Sequence, residues 1–444
     1  MSKIAFNKGS IALGGLFMIP LLVLGFLAGQ SDFELIFGGY AFAFFAFFMI
    51  WQRAKTEDLP FYFMLALLVR FFLIFAFPQL SDDIYRFIWD GRLICHGHNP
   101  FNYLPDEIMA EGWARPWLDQ NLYAGLNSPD HYTIYPPVAQ VVFTLGTWLF
   151  PHSIYWSTVV MKIVIFAFEA GTIFILPRLL NHLKLPVKNT LLYALNPLVI
   201  IEITGNLHFE GVMIFFLMIG IFWLFTRRIY LSAIAMALAV ASKLLPLLFL
   251  MFFIKRLGWK KSMAYFAVLG VTLLVLFIPL INGVFFDHFG ESLDLYFRKF
   301  EFNASIYYLV RYVGYIISGF NLIKFIGPIL ASLTFLGILL VAIKEKDLTG
   351  GSLMHKMLFA ICLYLSFTPT VHPWYVLLPL ALSIFTHFRF AVLWSGLITL
   401  TYINYTYDPF FENLWVVGIE YILVFSWAAI ELWRPKYLSL KQES

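Results

Sequence analysis

The sequence predicts an all-α polytopic membrane protein, and three observations carry that prediction. Hydrophobic residues fill 61% of the 444 positions and charged residues only 13%, against about half and a quarter in soluble domains. Apolar runs near the ~20 residues that span a bilayer recur along the whole chain. Lysine and arginine also concentrate at alternate ends of those runs, as membrane topology requires. The net charge of +4 is too small to point to nucleic acid.

Apolar segments fall at 11–29, 34–52, 59–78, 157–178, 190–203, 209–226, 229–242, 244–254, 262–282, 321–343, 356–370, 374–386, 390–404 and 414–432. Several are short for a hydrocarbon core of about 30 Å, so tilted, broken or re-entrant helices are expected among about 12–14 spans. The opening "MSKIAFNKGS" and its apolar run resemble a signal peptide. No small-residue cleavage site precedes the next span, so 11–29 is expected to be a retained helix. Segments 135–150 and 304–319 have flanks that suit interfacial or half-inserted helices.

With the N-terminus in the cytoplasm, Lys3, Lys8, Arg53, Lys55, Arg178, Lys184, Lys188, Arg227, Arg228, Lys255, Arg256, Lys260, Lys261, Lys344, Lys346, Lys356, Arg389, Arg434, Lys436 and Lys441 fall inside. A full crossing by 135–150 would turn "PRLLNHLKLPVK" (177–188) outward and weaken the bias. One long outer loop, 79–156, with 135–150 lying in it, is therefore expected. The chain is expected to be one integral-membrane domain over 1–444. It comprises an N-terminal helix pair (1–58), a core (59–380) and C-terminal helices (381–444). Cys95 and Cys362 lie far apart and share no metal spacing, so they are expected to be ordinary thiols.

The polar residues gather in loops on one side. "SDDIYRFIWDGR" (81–92) follows the third apolar run. Ser81 suits a helix N-cap and acids suit the first turn. Arg86 can pair at i,i+4 with either Asp82 or Asp90, so a plain ion ladder is one reading. At a membrane edge, however, adjacent carboxylates are partly desolvated and raise one another's pKa, which suits a general base. Side chains of successive helical residues point about 100° apart, so only one of Asp82 and Asp83 should reach a given substrate.

The remaining outer segments add cations and rings. His96 and His98 have metal-ligand spacing but lack a third ligand, and Asn99-Pro100 is a turn. "YPPVAQ" (135–140) starts a helix. In "NPLVIIEITGNLHFEG" (196–211), Glu202 sits in an apolar span, while Asn206, His208 and Glu210 crowd a short turn. Those residues are either a functional site or a hydrogen-bonded pin between helices. Lys243 in "ASKLLP" (241–246) marks a broken helix, where it either snorkels or grips a phosphate. Arg298, Lys299 and Arg311 fall on the outer side against the usual bias, facing either a phosphate ligand or lipid headgroups. His372 lies in "TPTVHPWY" (368–375), as a pH-responsive group or a packed interfacial ring. Acids, phosphate-suited cations and aromatics on one membrane face suit a substrate with a lipid tail and a sugar-phosphate head.

"SDDIYRFIWDGR", followed by "GHNPFNYLP" (97–105), resembles bacterial members of the GT-C superfamily of integral-membrane glycosyltransferases. The likeness is strongest to the polyprenyl-phosphate-mannose-dependent mannosyltransferases and spans 59–380. "YPPVAQ", "NPLVIIEITGNLHFEG", "ASKLLPLL" (241–248) and "FEFNASIYYLVR" (300–311) follow in the expected order. The resemblance implies a GT-C helix bundle and an essential acid where Asp82 and Asp83 stand. Asp83 is assigned as base with Asp82 as helper. It further implies inverting transfer of a hexose, with mannose expected, from a polyprenyl-phosphate sugar to an acceptor hydroxyl. Lys243, Arg298 and Arg311 are the candidates for the departing phosphate. Arg86, Arg92, Glu210 and His372 are expected to order the loops or hold the sugar. No cofactor and no catalytic metal are expected. The acceptor is a glycan, lipid or protein, and the setting a bacterial inner membrane with the site facing the periplasm or exterior. Two alternatives compete: a transporter or flippase of a lipid-linked sugar, which needs a polar path through the midplane, and a non-catalytic subunit of an envelope assembly.

Overall fold

The computed structural model describes residues 8–114 and 116–433. Lys3, Arg434, Lys436 and Lys441 lie outside the described residues. The chain is an all-α bundle, and the described residues contain no strand. Seven helices are long and apolar enough to cross a membrane: Lys8–Leu27, Phe33–Arg53, Ile154–His182, Trp259–Phe277, Ile323–Lys344, Gly350–Phe367 and Leu414–Trp433. The pair Pro197–Gly205 and Glu210–Phe225, bent by 112° at its break, is a broken span or a re-entrant loop. The other apolar segments form shorter helices, among them Ile229–Ser242, Met251–Leu257 and Phe390–Leu397. Segments 190–203 and 209–226, which the apolar pattern separates into two spans, are thus two arms of one bent unit.

Physical causes for the breaks are visible in the backbone. Pro197 starts a short turn, a π-helix follows over Ile200–Gly205, and Leu207 adopts a left-handed conformation (φ 65°). Lys243 is extended (φ −157°, ψ 140°) and ends Ile229–Ser242, with Pro246 in the next turn. Each break leaves polar backbone and side chains at a helix end, which membrane proteins tolerate where protein buries them.

Segment 79–156 is built mainly of short helices, Asp83–Cys95, Pro105–Glu111, Gln120–Ala124 and Pro137–Leu149. Within it Asp83–Cys95 packs along Pro137–Leu149. Gly91 permits that approach, because a Cβ there would stand 2.5 Å from the Phe143 carbonyl oxygen. The helix Pro137–Leu149 has 13 residues, short for a crossing. The N-terminal pair, Lys8–Leu27 and Phe33–Arg53, packs against the bent unit near Glu202. Charges inside the bundle are held by hydrogen bonds or by opposite charges. Arg70 meets Glu169 at 3.1 Å, both fully buried, and Tyr193 donates to the same carboxylate at 2.7 Å. Lys162 donates to the carbonyls of Leu73 and Ala76, satisfying the end of Leu59–Leu73.

Candidate active site

The helix Asp83–Cys95 carries two kinds of charge. Its N-cap position is held by Asp82, one residue later than the Ser81 expected from sequence, and the Asp82 side chain makes no capping hydrogen bond. Ser81 contributes only a long acceptor, 3.4 Å from the Asp83 amide. Further along, Arg86 chooses Asp90 over Asp82, at 2.9 Å. Fully buried Asp90 also accepts from Gln140 at 2.9 Å and from the Thr133 hydroxyl. Arg86 reaches the His131 carbonyl at 2.8 Å, so these bonds strap 131–135 to the helix. The strap brings Tyr135 to Asp83, whose carboxylate accepts from Tyr135 and from Asn127, the latter at 3.3 Å. Arg92, at the other end of the helix, donates to the Trp117 carbonyl at 2.9 Å and pairs with Asp119 at 3.4 Å. Arg86 and Arg92 therefore order loop backbone.

Both breaks in the fold deliver a residue to the same place. Glu210 is the first residue of the second arm of the bent unit, and Lys243 ends the neighbouring helix. They pair at 2.8 Å, Glu210 fully buried and Lys243 partly open. The Lys243 charge also acts on Asp83, and its ammonium lies 5.9 Å from the Tyr375 ring centroid. Asp83 is half-buried and Asp82 exposed. Desolvation holds the Asp83 carboxyl above the usual range, while Lys243, Tyr135 and Asn127 pull it back. Asp82 is raised by desolvation and then by the charge of Asp83. Tyr405 faces both acids, and burial followed by their charge pushes its phenol up.

A stack of rings walls this cluster. His208 lies on Trp374 at 3.8 Å, Trp374 on His372 at 4.5 Å, and His372 on Phe302 at 5.0 Å. Backbone bonds from Phe302 to Pro369 and Val371 fix the last contact, at 3.0 and 2.8 Å. Burial, then Lys243, pushes the His372 imidazole down to about 3. His372 is thus packed as a ring within the stack. Behind the stack, Glu202 accepts from Tyr402 at 2.9 Å and Tyr40 at 3.4 Å, and lies 3.5 Å from His208 Nε2. Tyr40 and Tyr402 come from opposite ends of the sequence and belong to no motif, so sequence reasoning missed both.

The other outer cations are engaged elsewhere. Arg298 pairs with Asp294 at 3.1 Å in an exposed i,i+4 contact. Arg311 pairs with Glu301 and lies over the Tyr308 ring at 4.2 Å. His96 stacks on Trp117 at 3.9 Å and His98 packs against Trp113 at 4.7 Å, so both are parts of an aromatic cluster. Cys95 and Cys362 are free thiols. Among the described residues, no three His, Cys, Asp or Glu side chains converge on a common point.

A family model described as alpha-(1->6)-mannopyranosyltransferase, N-terminal domain, matches residues 18–258, more than half of the chain. The chain belongs to this mannosyltransferase family. No curated protein matches it. With its apolar helices it is an integral-membrane mannosyltransferase, which requires a sugar donor and an acceptor. The matched segment of the mannosyltransferase contains Asp82, Asp83, Arg86, Arg92, Glu210 and Lys243, whereas Arg298, Arg311 and His372 lie beyond it.

Proposed function

We propose that the protein transfers mannose from a polyprenyl-phosphate donor to an acceptor hydroxyl on the extracytoplasmic side of the membrane, with inversion. The observation that carries this reading is the pairing of a raised, partly open carboxylate with a cation held at its side: Asp83, and Lys243 anchored by Glu210. Asp83 takes the proton of the acceptor hydroxyl as its oxygen bonds to the anomeric carbon. The bond from that carbon to the phosphate oxygen breaks on the opposite side. The electron pair leaves with the polyprenyl phosphate, whose charge Lys243 stabilises. Asp82, unpaired and adjacent, assists in holding the acceptor. Glu210 keeps Lys243 aimed, and the ring wall that includes His372 supports the sugar.

The charges within the spans favour this reading over transport. Arg70 pairs with Glu169 and the Ala194 carbonyl, and Lys162 binds backbone carbonyls, so these charges hold helices together.

Transfer from radiolabelled polyprenyl-phosphate-mannose should be measured for the wild type, Asp83→Asn, Asp82→Asn and the double variant at matched expression. The proposal expects transfer by the wild type, strong loss in Asp83→Asn and a smaller loss in Asp82→Asn. Full activity in all three variants sinks the assignment of the base. Absence of transfer with intact uptake of a lipid-linked sugar transfers the case to the transporter reading.

A further inference from the structure

The basic residues near the turn that joins Ile323–Lys344 to Gly350–Phe367 divide into two groups. Lys255 donates to the backbone carbonyls of Ile343 and Glu345, which lack helical partners. Arg256 holds the Glu345 carboxylate with two bonds, at 2.7 and 2.5 Å, and Ser352 adds a third at 3.1 Å. The fold thus uses these two cations and cancels the charge of Glu345. Lys344, Lys346 and Lys356 have no ion-pair partner among the described residues. Asp347, the remaining acid, is exposed and accepts from the Thr349 amide at 2.9 Å, which shapes the turn.

Lys344, Lys346 and Lys356 line one cavity of about 540 Å³ together with Asp347 and the Arg256-bound Glu345, and its apolar wall is Gly337, Leu340 and Val341. Ser352, in the first turn of Gly350–Phe367, also lines it, so the positive end of that helix dipole adjoins the cavity. The same helix has 18 residues and leads at its far end to Thr370 and His372. At 1.5 Å per residue it is about 27 Å long, close to the thickness of a bilayer core. The cavity therefore lies at the membrane boundary opposite the candidate active site.

We propose that this cavity is a binding site for an anionic phospholipid of the leaflet opposite the candidate active site. Its headgroup phosphate meets Lys344, Lys346 and Lys356, and an acyl chain lies along Gly337, Leu340 and Val341. The volume suits a headgroup. Three lysines against Asp347, the one lining acid not held by Arg256, leave an excess of positive charge beside an apolar groove at a membrane boundary, which selects a negative headgroup over a zwitterionic one. The site is separate from the transfer chemistry and stands whether or not the donor assignment holds.

The test uses the full-length protein in a non-ionic detergent. Retention by native mass spectrometry and the thermal midpoint are compared for phosphatidylglycerol, phosphatidylcholine with the same acyl chains, and inorganic phosphate. Phosphatidylglycerol should be retained preferentially and should raise the midpoint most. Each lysine should contribute about fivefold in affinity, so the combined Lys344→Gln, Lys346→Gln, Lys356→Gln variant should lose about a hundredfold. Lys260→Gln with Lys261→Gln, at the start of Trp259–Phe277 and outside the cavity, should leave retention unchanged. Equal retention by the triple variant overturns the proposal. So does a midpoint rise from inorganic phosphate equal to that from phosphatidylglycerol. Should the triple variant fail to fold, the exposed single change Lys346→Gln reads the same effect at about fivefold, and no change there overturns the site.

Discussion

Asp83 and Asp90 sit two turns apart on one helix, and the protein treats them in opposite ways. Asp90 is fully buried and saturated by Arg86, Gln140 and Thr133. Asp83 is half-buried, accepts from Tyr135 and Asn127, and shares the cation Lys243 with Glu210. A buried charge whose lone pairs are all taken can only hold structure. One that keeps an open side and a raised pKa can still accept a proton. The same residue type in the same helix is a rivet at one position and, in the proposed mechanism, a reagent at the other.

The sharpest way to break this comparison is to neutralise each acid. Asp83→Asn should lower mannosyl transfer about 10²–10⁴-fold while leaving the thermal midpoint near that of the wild type. Asp90→Asn should do the reverse. Removing one partner of a buried pair costs about 3–5 kcal/mol, so its midpoint in detergent should fall clearly, with activity lost only in proportion to folded protein. If the two variants exchange these phenotypes, the division of roles is wrong.

Next in size is Lys243→Met. The cation lowers the Asp83 pKa, so its loss must raise it, and a base works only when deprotonated. The acid limb of kcat/KM should therefore move to higher pH, and the proposed role of Lys243 at the leaving phosphate predicts that the plateau falls roughly a hundredfold. An acid limb that stays in place shows that Lys243 does not act on Asp83. The smallest effect is expected for Arg298→Gln. Its exposed pair with Asp294 is worth about 0–1 kcal/mol, and transfer should stay within about twofold. A larger drop in transfer, with the midpoint unchanged, would return Arg298 to the phosphate site.

Composition and apolar runs were enough to read the all-α membrane class, because a bilayer demands long apolar helices regardless of detail. The i,i+4 spacing exposed Arg86 and Asp90, since helical geometry makes such neighbours local. It could not choose between Asp82 and Asp90 as the partner of Arg86, which depends on Thr133 and Gln140 packing from elsewhere. Lys243 was visible as a helix break through Pro246. Its pairing with Glu210 was not, because nothing in the spacing of residues 210 and 243 encodes their meeting. Tyr40 and Tyr402 were the least legible. A tyrosine in a greasy helix looks the same whether it faces lipid or a buried Glu202.

The ring wall has a consequence for how the enzyme is made. Asp83, Glu210 and Lys243 all belong to the first part of the chain to be synthesised, within the segment that matches the family. Phe302, His372 and Trp374 arrive only when later helices have been threaded into the membrane. Until then His208 lacks its ring partner and the charged cluster lacks its screen. A nascent chain thus holds its charged cluster before it holds the surface that confines it, and the wall is the last part of the workshop to be built.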